Sequence, residues 1–455
     1  MRLQWFEVQG YKNFRAPLRL EDLGRFNVLH GDNNTGKSNL LESIGLLFMA
    51  LGTLREETSA RTSIAEAFAR TSAPVAKDGA KTAIRSDKYF SERGFPAEDI
   101  FDFTSQAPIT LRASFQPGAG DITADDPPSA RGPIEVELRI ERRLEGAAVS
   151  LTCLVRSGGV DTSAAPNEEV ARVLQRLGPR VAARSVEPRF LLIRADRSVV
   201  CDPPRDDAAP LVAREPMPLD LGLALYEAER EKGAPRRRFE RFVAALEHIR
   251  SLVGEGRWRM DYVLKIERTE LYLERSLERG SELVPLRLMG SGVQQIAVLA
   301  GRLAMAGPAV VAIEEPELNL RWSAQHRLRD MLRELCSGED GPSQVLVTSH
   351  SSAFEFEPTF YALSVGANGP EVRRRPAEEA PRLLNPEVER PPDGARAPLS
   401  YVTRDGLVRV PDDVRRVLGV AEGGGVTFVE GKDGLFYMLG DAQVLDMIEP
   451  GARRP

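Results

Sequence analysis

Gly31-Asp32-Asn33-Asn34-Thr35-Gly36-Lys37-Ser38 has the spacing G-x-x-x-x-G-K-S. Ahead of it, Phe26, Val28 and Leu29 read as a short buried strand. Behind it, Leu40, Leu41, Ile44, Leu47 and Phe48 recur at helical spacing. A glycine-rich turn between strand and helix aims successive backbone N–H groups at one point, a geometry suited to a triphosphate. In that setting Lys37 reaches the β- and γ-phosphates, and the Ser38 hydroxyl holds Mg2+. Gly31, Asn33, Asn34, Thr35, Gly36, Lys37, Ser38 and Asn39 are therefore the candidate nucleotide-binding residues, with ATP and Mg2+ as the expected ligands. A solvated Gly/Asn turn is the competing reading, and the flanking strand and helix weigh against it.

Three later segments extend this reading. Ala309-Val310-Val311-Ala312-Ile313-Glu314-Glu315 is an apolar strand ending in two carboxylates. Glu314 is placed to hold Mg2+, directly or through water, and Glu315 to orient the attacking water as general base. An acidic strand end facing solvent is the plain alternative. Gln344–Thr348 is another apolar strand, followed by Ser349-His350-Ser351. After a second sheet strand, His350 is placed to contact the γ-phosphate; alone it would read as a structural histidine. Glu315, Lys37 and His350 are the candidate catalytic residues. Third, Gly290-Ser291-Gly292 opens a helix whose apolar face is Val293, Ile296, Ala297, Ala300, Leu303 and Ala304. A helix N-terminus offers unpaired N–H groups and a positive dipole end. Ser291 and Gly292 are thus candidates for the γ-phosphate of a nucleotide held by another subunit. An ordinary N-cap by Ser291 would look the same in sequence.

The 455 residues suffice for two or three domains and a large core. A formal charge of −6 means that any nucleic-acid contact comes from local patches. The N-terminus enters a strand pattern at once and no apolar run has membrane length, so the expectation is a cytoplasmic protein with no membrane contact. Cys153, Cys201 and Cys336 form no C-x-x-C pair and suit a reducing compartment.

Along the chain, 50–99 reads as a partly helical insertion. Strand patterns return at Ile109–Phe115, Ile134–Ile140 and Val149–Val155, and residues 161–186 look helical. Phe190–Ile193 is a continuous apolar run, as in a strand buried on both faces. Two amphipathic helices are expected between Leu221 and Leu252, within a helical subdomain at 200–255, and a hairpin at Tyr262–Glu274. The stretch 361–398, rich in Pro, Glu and Arg from 366 onward, reads as a linker.

The order of P-loop, Gly-Ser-Gly helix, Glu-Glu strand and Ser-His strand resembles the ABC-type ATPases of the RecF, structural-maintenance-of-chromosomes and overcoming-lysogenization-defect (OLD) groups. Phe6-Glu7-Val8-Gln9-Gly10-Tyr11-Lys12-Asn13-Phe14, Asn34–Glu42 and Glu314-Glu315-Pro316-Glu317-Leu318-Asn319-Leu320 look most like the RecF and OLD types. The resemblance implies an α/β fold: a P-loop ABC-type ATPase head over 1–360, with an antiparallel β-subdomain and a helical insertion. It also implies two heads dimerised head-to-tail, each Ser291-Gly292 helix closing the other's ATP site. The implied setting is DNA maintenance or defence against phage or plasmids, with an effector partner such as a nuclease or toxin. The chain departs from the pattern at Asn319-Leu320-Arg321-Trp322, where such proteins commonly carry His-Pro. Gln106 is a weak candidate for the Q-loop, and Arg197 resembles an arginine often found in the subgroup.

Residues 399–445 read as a separate small β-rich domain. Tyr401–Thr403 and Leu407–Val410 form one expected hairpin, and Val426–Glu430 and Leu435–Leu439 a second. Between them lies a short helix begun at Pro411 and stopped at Gly419. This order resembles the AbrB/MazE swapped-hairpin domain, in which two chains interleave and often bind DNA. Some forty residues make a thin core, so dimerisation is physically sensible. Arg404, Arg409, Arg415 and Arg416 stand against Asp405, Asp412 and Asp413, a weak basic excess for phosphate contact. Double-stranded DNA and a second copy are both expected partners here. An ATP-responsive DNA-binding regulator, or an antitoxin-like scaffold, is the alternative function.

Overall fold

Arg2–Gln9 (β1) and Leu18–Leu20 (β2) pair antiparallel, with Phe6 opposite Leu20 and Val8 opposite Leu18. Phe26–His30 (β3) then runs into the 31–36 loop, and Lys37–Ala60 (α1) leaves it. The computed structural model describes residues 1–60, 80–86, 97–102, 107–118, 121, 132–142, 149–157, 176–177, 180–182, 185–187, 189–195, 221–263, 268–277, 280–307, 309–337, 341–379, 410, 412–420, 426–430, 436–440 and 444. They fall into two compact units, Met1–Glu379 and Ala380–Pro455.

In the first unit, Ala80–Ser86 (β4) and Ala97–Ile100 (α2) are followed by Ile109–Gln116 (β5), Ile134–Arg142 (β6) and Val149–Ser157 (β7). These strands join β1 and β2 in a six-stranded antiparallel sheet of order β2-β1-β5-β6-β7-β4. Its inward residues Leu3, Phe6, Val8, Leu111, Ala113, Val136 and Leu138 are buried with α1 in one core. Arg180–Ala182 (β8) and Ser185–Glu187 (β9) form a small hairpin before Phe190–Ile193 (β10).

Next come Leu221–Arg230 (α3), Ala234–Glu247 (α4), Arg250–Val253 (α5) and the sheet of Arg257–Val263 (β11), Arg268–Leu277 (β12) and Gly280–Pro285 (β13). Then Ser291–Met305 (α6), Val310–Glu314 (β14), Trp322–Ser337 (α7), Gln344–Ser349 (β15), Phe360–Gly366 (β16) and Gly369–Arg375 (β17) complete the unit. The second sheet has the order β10-β14-β15-β3-β16-β17, parallel from β10 to β16 and antiparallel at β17.

Both faces of this sheet are covered, which explains its unbroken apolar runs. Leu29, Val310, Ala312 and Leu346 point into the core shared with α1. Val28, Val311, Ile313, Val345 and Val347 point the other way, into a core with α4, α6 and α7. Helix α1 lies between the two sheets, and Leu40, Leu41, Ile44, Leu46, Leu47, Leu51 and Leu54 leave it apolar nearly all round. At Gly45 an added Cβ would meet the Phe190 ring at 3.1 Å, so a small residue lets α1 close on β10.

Several expectations change. The insertion at 50–99 contributes a strand, β4, which pairs with β7 and extends the antiparallel sheet. The end of the expected 161–186 helix is the β8–β9 hairpin instead. The hairpin at 262–274 is part of a three-stranded sheet. The expected linker begins too early: β16 and β17 add to the parallel sheet next to β3, and the compact unit runs to Glu379. Polar and proline-rich composition hid a hairpin whose buried residues are only Phe360, Tyr361, Leu363 and Pro370.

In the second unit, Asp412–Val417 (α8) precedes Val426–Glu430 (β18) and Phe436–Gly440 (β19), which pair antiparallel with Phe428 opposite Met438. Gly419 has φ 72° and follows the helix end, as a left-handed stop requires. The hairpin expected at 401–410, apart from Val410, and Pro411, Gln106 and Arg197 lie outside the described residues.

Candidate functional site

Parallel pairing brings the sheet's chemistry to one edge. His30 is in register with Ser349, Glu314 with Thr348, and Ile193 with Ile313. The loop after β3, the Glu314-Glu315 end of β14, His350 after β15 and Arg194 after β10 therefore emerge side by side at the carboxyl ends of the strands. That edge is where open α/β sheets hold ligands.

The 31–38 loop is wound by its own backbone and by neighbours. Thr35 donates through its hydroxyl to the Asp32 carbonyl at 2.8 Å, and Asn34 and Gly36 take positive φ values of 64° and 92°. At Gly36 a Cβ would meet Pro370 Cγ at 2.9 Å and Asn13 Nδ2 at 3.0 Å, so only glycine fits. Asn39 donates to the Asn13 side chain at 2.8 Å, tying α1 to the β1–β2 turn. Lys37 is 6% exposed, and its ammonium donates to the carbonyls of Gly31 at 2.7 Å and Asp32 at 2.8 Å. Burial pushes this ammonium below the usual lysine range, against the opposing pull of Glu315, Glu317 and Asp32.

Ser38 and Glu314 face each other, the serine hydroxyl near enough to favour the charged carboxylate. Burial pushes the Glu314 carboxyl up, while Arg194 and the Ser38 hydrogen bond hold it down. One hydroxyl and one carboxylate are a fitting donor pair for Mg2+, which keeps water and phosphate oxygens for its other positions. Among the described residues no cluster of three or more His, Cys, Asp or Glu side chains could bind a metal by itself.

Glu315 and His350 also meet, His350 Nδ1 lying 3.6 Å from Glu315 Oε1. Both side chains are partly exposed, at 26% and 45%, and so reach the edge where a ligand would sit. Ser291 is the first residue of α6, with Gly290 as the capping residue and no side-chain cap, so Ser291 is not an N-cap. The exposed Ser291 leads to Gly292, where a Cβ would meet Leu320 Cδ2 at 2.8 Å and the Asn319 carbonyl at 3.4 Å. The Gly-Ser-Gly helix start thus lies on the 319–320 turn, whereas Asn13, Phe14, Leu363 and Pro370 wrap the 31–36 loop.

Two further groups of side chains meet near this edge. Glu42 on α1 accepts from Lys12 at 2.5 Å, from the Tyr11 hydroxyl at 3.2 Å and from Arg194 at 3.2 Å. Glu317 is buried and accepts from Ser349 and His350. Tyr11, Lys12, Glu42 and Glu317 all stand in segments that carry the family resemblance, but nothing in one sequence pairs them.

Residues 189–355 match the family model described as "AAA domain, putative AbiEii toxin, Type IV TA system". That span contains Ser291, Glu314, Glu315 and His350 and excludes the 31–38 loop. Comparison with curated proteins gives no match. Among solved structures, the chain is similar to an SMC head bound to the C-winged helix domain of ScpA, with 14% identity and a TM-score of 0.47 over 84% of this chain and 100% of that one. It is also similar to the SMC head domain from Thermotoga maritima, with 13% identity and a TM-score of 0.42 over 82% of this chain and 99% of that one. No helix among the described residues is long and apolar enough to cross a membrane. The chain is an α/β protein with a P-loop at its central parallel sheet, and over residues 189–355 it is similar to an AAA-type ATPase domain.

Proposed function

We propose that this protein binds and hydrolyses ATP as an ABC-type head of the RecF/OLD kind and works as a dimeric switch. The observation that carries the reading is the convergence of Lys37, the Ser38–Glu314 pair and the Glu315–His350 pair at one edge of a parallel sheet. Lys37 and the loop amides bind the phosphates. Ser38 and Glu314 would hold Mg2+, which when bound neutralises phosphate charge. Glu315 accepts a proton from the attacking water, and His350 orients the γ-phosphate from the neighbouring strand end. Ser291 and Gly292 present the amino end of α6 to the nucleotide of a second head, since their own turn packs on Asn319 and Leu320.

The proposed setting is the cytoplasm, in DNA maintenance or in defence against phage or plasmids. An effector, a nuclease or toxin, acts when the head dimer opens or closes. A second reading, an ATP-responsive DNA-binding regulator or antitoxin-like scaffold, draws on the helix-and-hairpin order of Asp412–Gly440, which resembles a swapped-hairpin domain. Phosphate release from ATP by wild type and Lys37→Ala, each with and without double-stranded DNA, tests the first reading. Equal release by both proteins would rule it out. Tight binding to a specific DNA site, indifferent to Glu315→Gln, would favour the second.

A further inference from the structure

We propose that Glu317 is a positioning residue that acts on the ATP site through His350; the role rests on the ATPase reading above. Glu317 follows the Glu314-Glu315-Pro316 turn and is only 3% exposed. A carboxylate so deeply buried is costly unless donors satisfy it. Its Oε1 accepts from the Ser349 hydroxyl at 2.6 Å and from the His350 backbone N–H at 3.0 Å. Its Oε2 is buried with no hydrogen-bond partner among the described residues. The carboxylate therefore spends its hydrogen bonds on the Ser349-His350 segment.

The consequence falls on the imidazole. His350 Nδ1 lies 3.8 Å from Glu317 Oε1 and 3.6 Å from Glu315 Oε1, so two carboxylates face the same ring nitrogen. With the His350 amide and the preceding serine held by Glu317, the ring has its Nδ1 side turned toward the acids and its Nε2 side left for a ligand. The Glu317 carbonyl also accepts from Leu320 N–H at 3.0 Å, so the same residue shapes the turn on which Gly292 rests. A carboxylate on the surface would have no such hold. Charge-assisted hydrogen bonds donated to a buried carboxylate are strong and directional.

The test uses the full chain as wild type, Glu317→Gln, His350→Ala and the double variant. In nucleotide-free protein, amide hydrogen exchange over residues 346–354 should rise about fivefold in Glu317→Gln, as a charge-assisted hydrogen bond becomes a neutral one. Turnover should fall about tenfold or more, while affinity for a non-hydrolysable ATP analogue stays within about twofold. In the His350→Ala background, Glu317→Gln should add less than about twofold, because both changes remove one function. If Glu317→Gln does not fold, Ser349→Ala removes one donor to the same oxygen and gives the same readouts. Additive losses, or unchanged exchange, would reduce Glu317 to a loop staple and overturn the proposal while wild-type turnover left the ATPase reading intact. A wild-type chain that neither binds nor hydrolyses ATP would overturn both, with the exchange measurement still reporting whether the clamp exists.

Discussion

The backbone amide of Glu315 donates to the Thr348 carbonyl at 3.0 Å. Glu315 has φ 40°, a left-handed conformation that costs a side-chain-bearing residue on the order of 1 kcal/mol or more. The bond to Thr348 holds that turn against the next strand, so the backbone that aims Glu315 does not depend on the charge of its carboxylate. Glu315→Gln should accordingly leave nucleotide binding in place and cut turnover by about a hundredfold or more, trapping a closed dimer with ATP. Equal turnover by wild type and variant would shift the base role to Glu314 or Glu317.

Lys37→Ala removes the ammonium that bridges the Gly31 and Asp32 carbonyls and the cation expected to meet the phosphates. The variant should lose ATP binding, read by titration with a fluorescent ATP analogue. Affinity within about twofold of wild type would contradict the cradle assignment.

A site shared between two chains makes a sharper prediction. Lys37→Ala and Ser291→Arg chains should each be inactive alone, and their mixture should regain activity at one composite site. Ser291 is exposed at the first turn of α6, so an arginine there blocks an interface without disturbing a core. Heterodimers that form and stay inactive would argue for a site complete within one chain.

Ending the chain after Glu379 removes the second compact unit and leaves the first whole. In the second unit Val417, Phe428 and Tyr437 are exposed, an apolar excess that a second copy would cover. Without ATP the truncated protein should be monomeric by light scattering and the full chain at least dimeric. Association through an apolar face should resist moderate salt better than DNA binding would. A truncated protein with the same number of chains per particle as the full protein would remove the swapped-hairpin reading.

Cys336 is buried on α7 against the apolar core, and burial pushes its thiol up to about 12. At pH 8 the thiolate fraction is then roughly one in ten thousand. Iodoacetamide should label Cys336 in denaturant and spare it in the folded protein, read by peptide mass spectrometry. Fast labelling of the native chain would mean that the α7 face opens readily.

Much of the site was legible because its motifs are local. Gly31–Ser38 lies between a strand and a helix that the flanking pattern predicts, and apolar runs before Glu314 and before His350 identify strands covered on both faces. Propensity and spacing act over a few residues, and there one chain suffices. Composition failed where a few buried side chains outvoted many polar ones, as in the 360–375 hairpin that replaced the start of the expected linker. The meetings of distant residues belong to the tertiary structure alone. Ser38 faces Glu314, His350 turns one ring nitrogen to both Glu315 and Glu317, and Glu42 gathers Tyr11, Lys12 and Arg194, because parallel pairing sets the register of strands far apart in sequence. That register is fixed by packing on both faces of the sheet at once, a property no single segment carries.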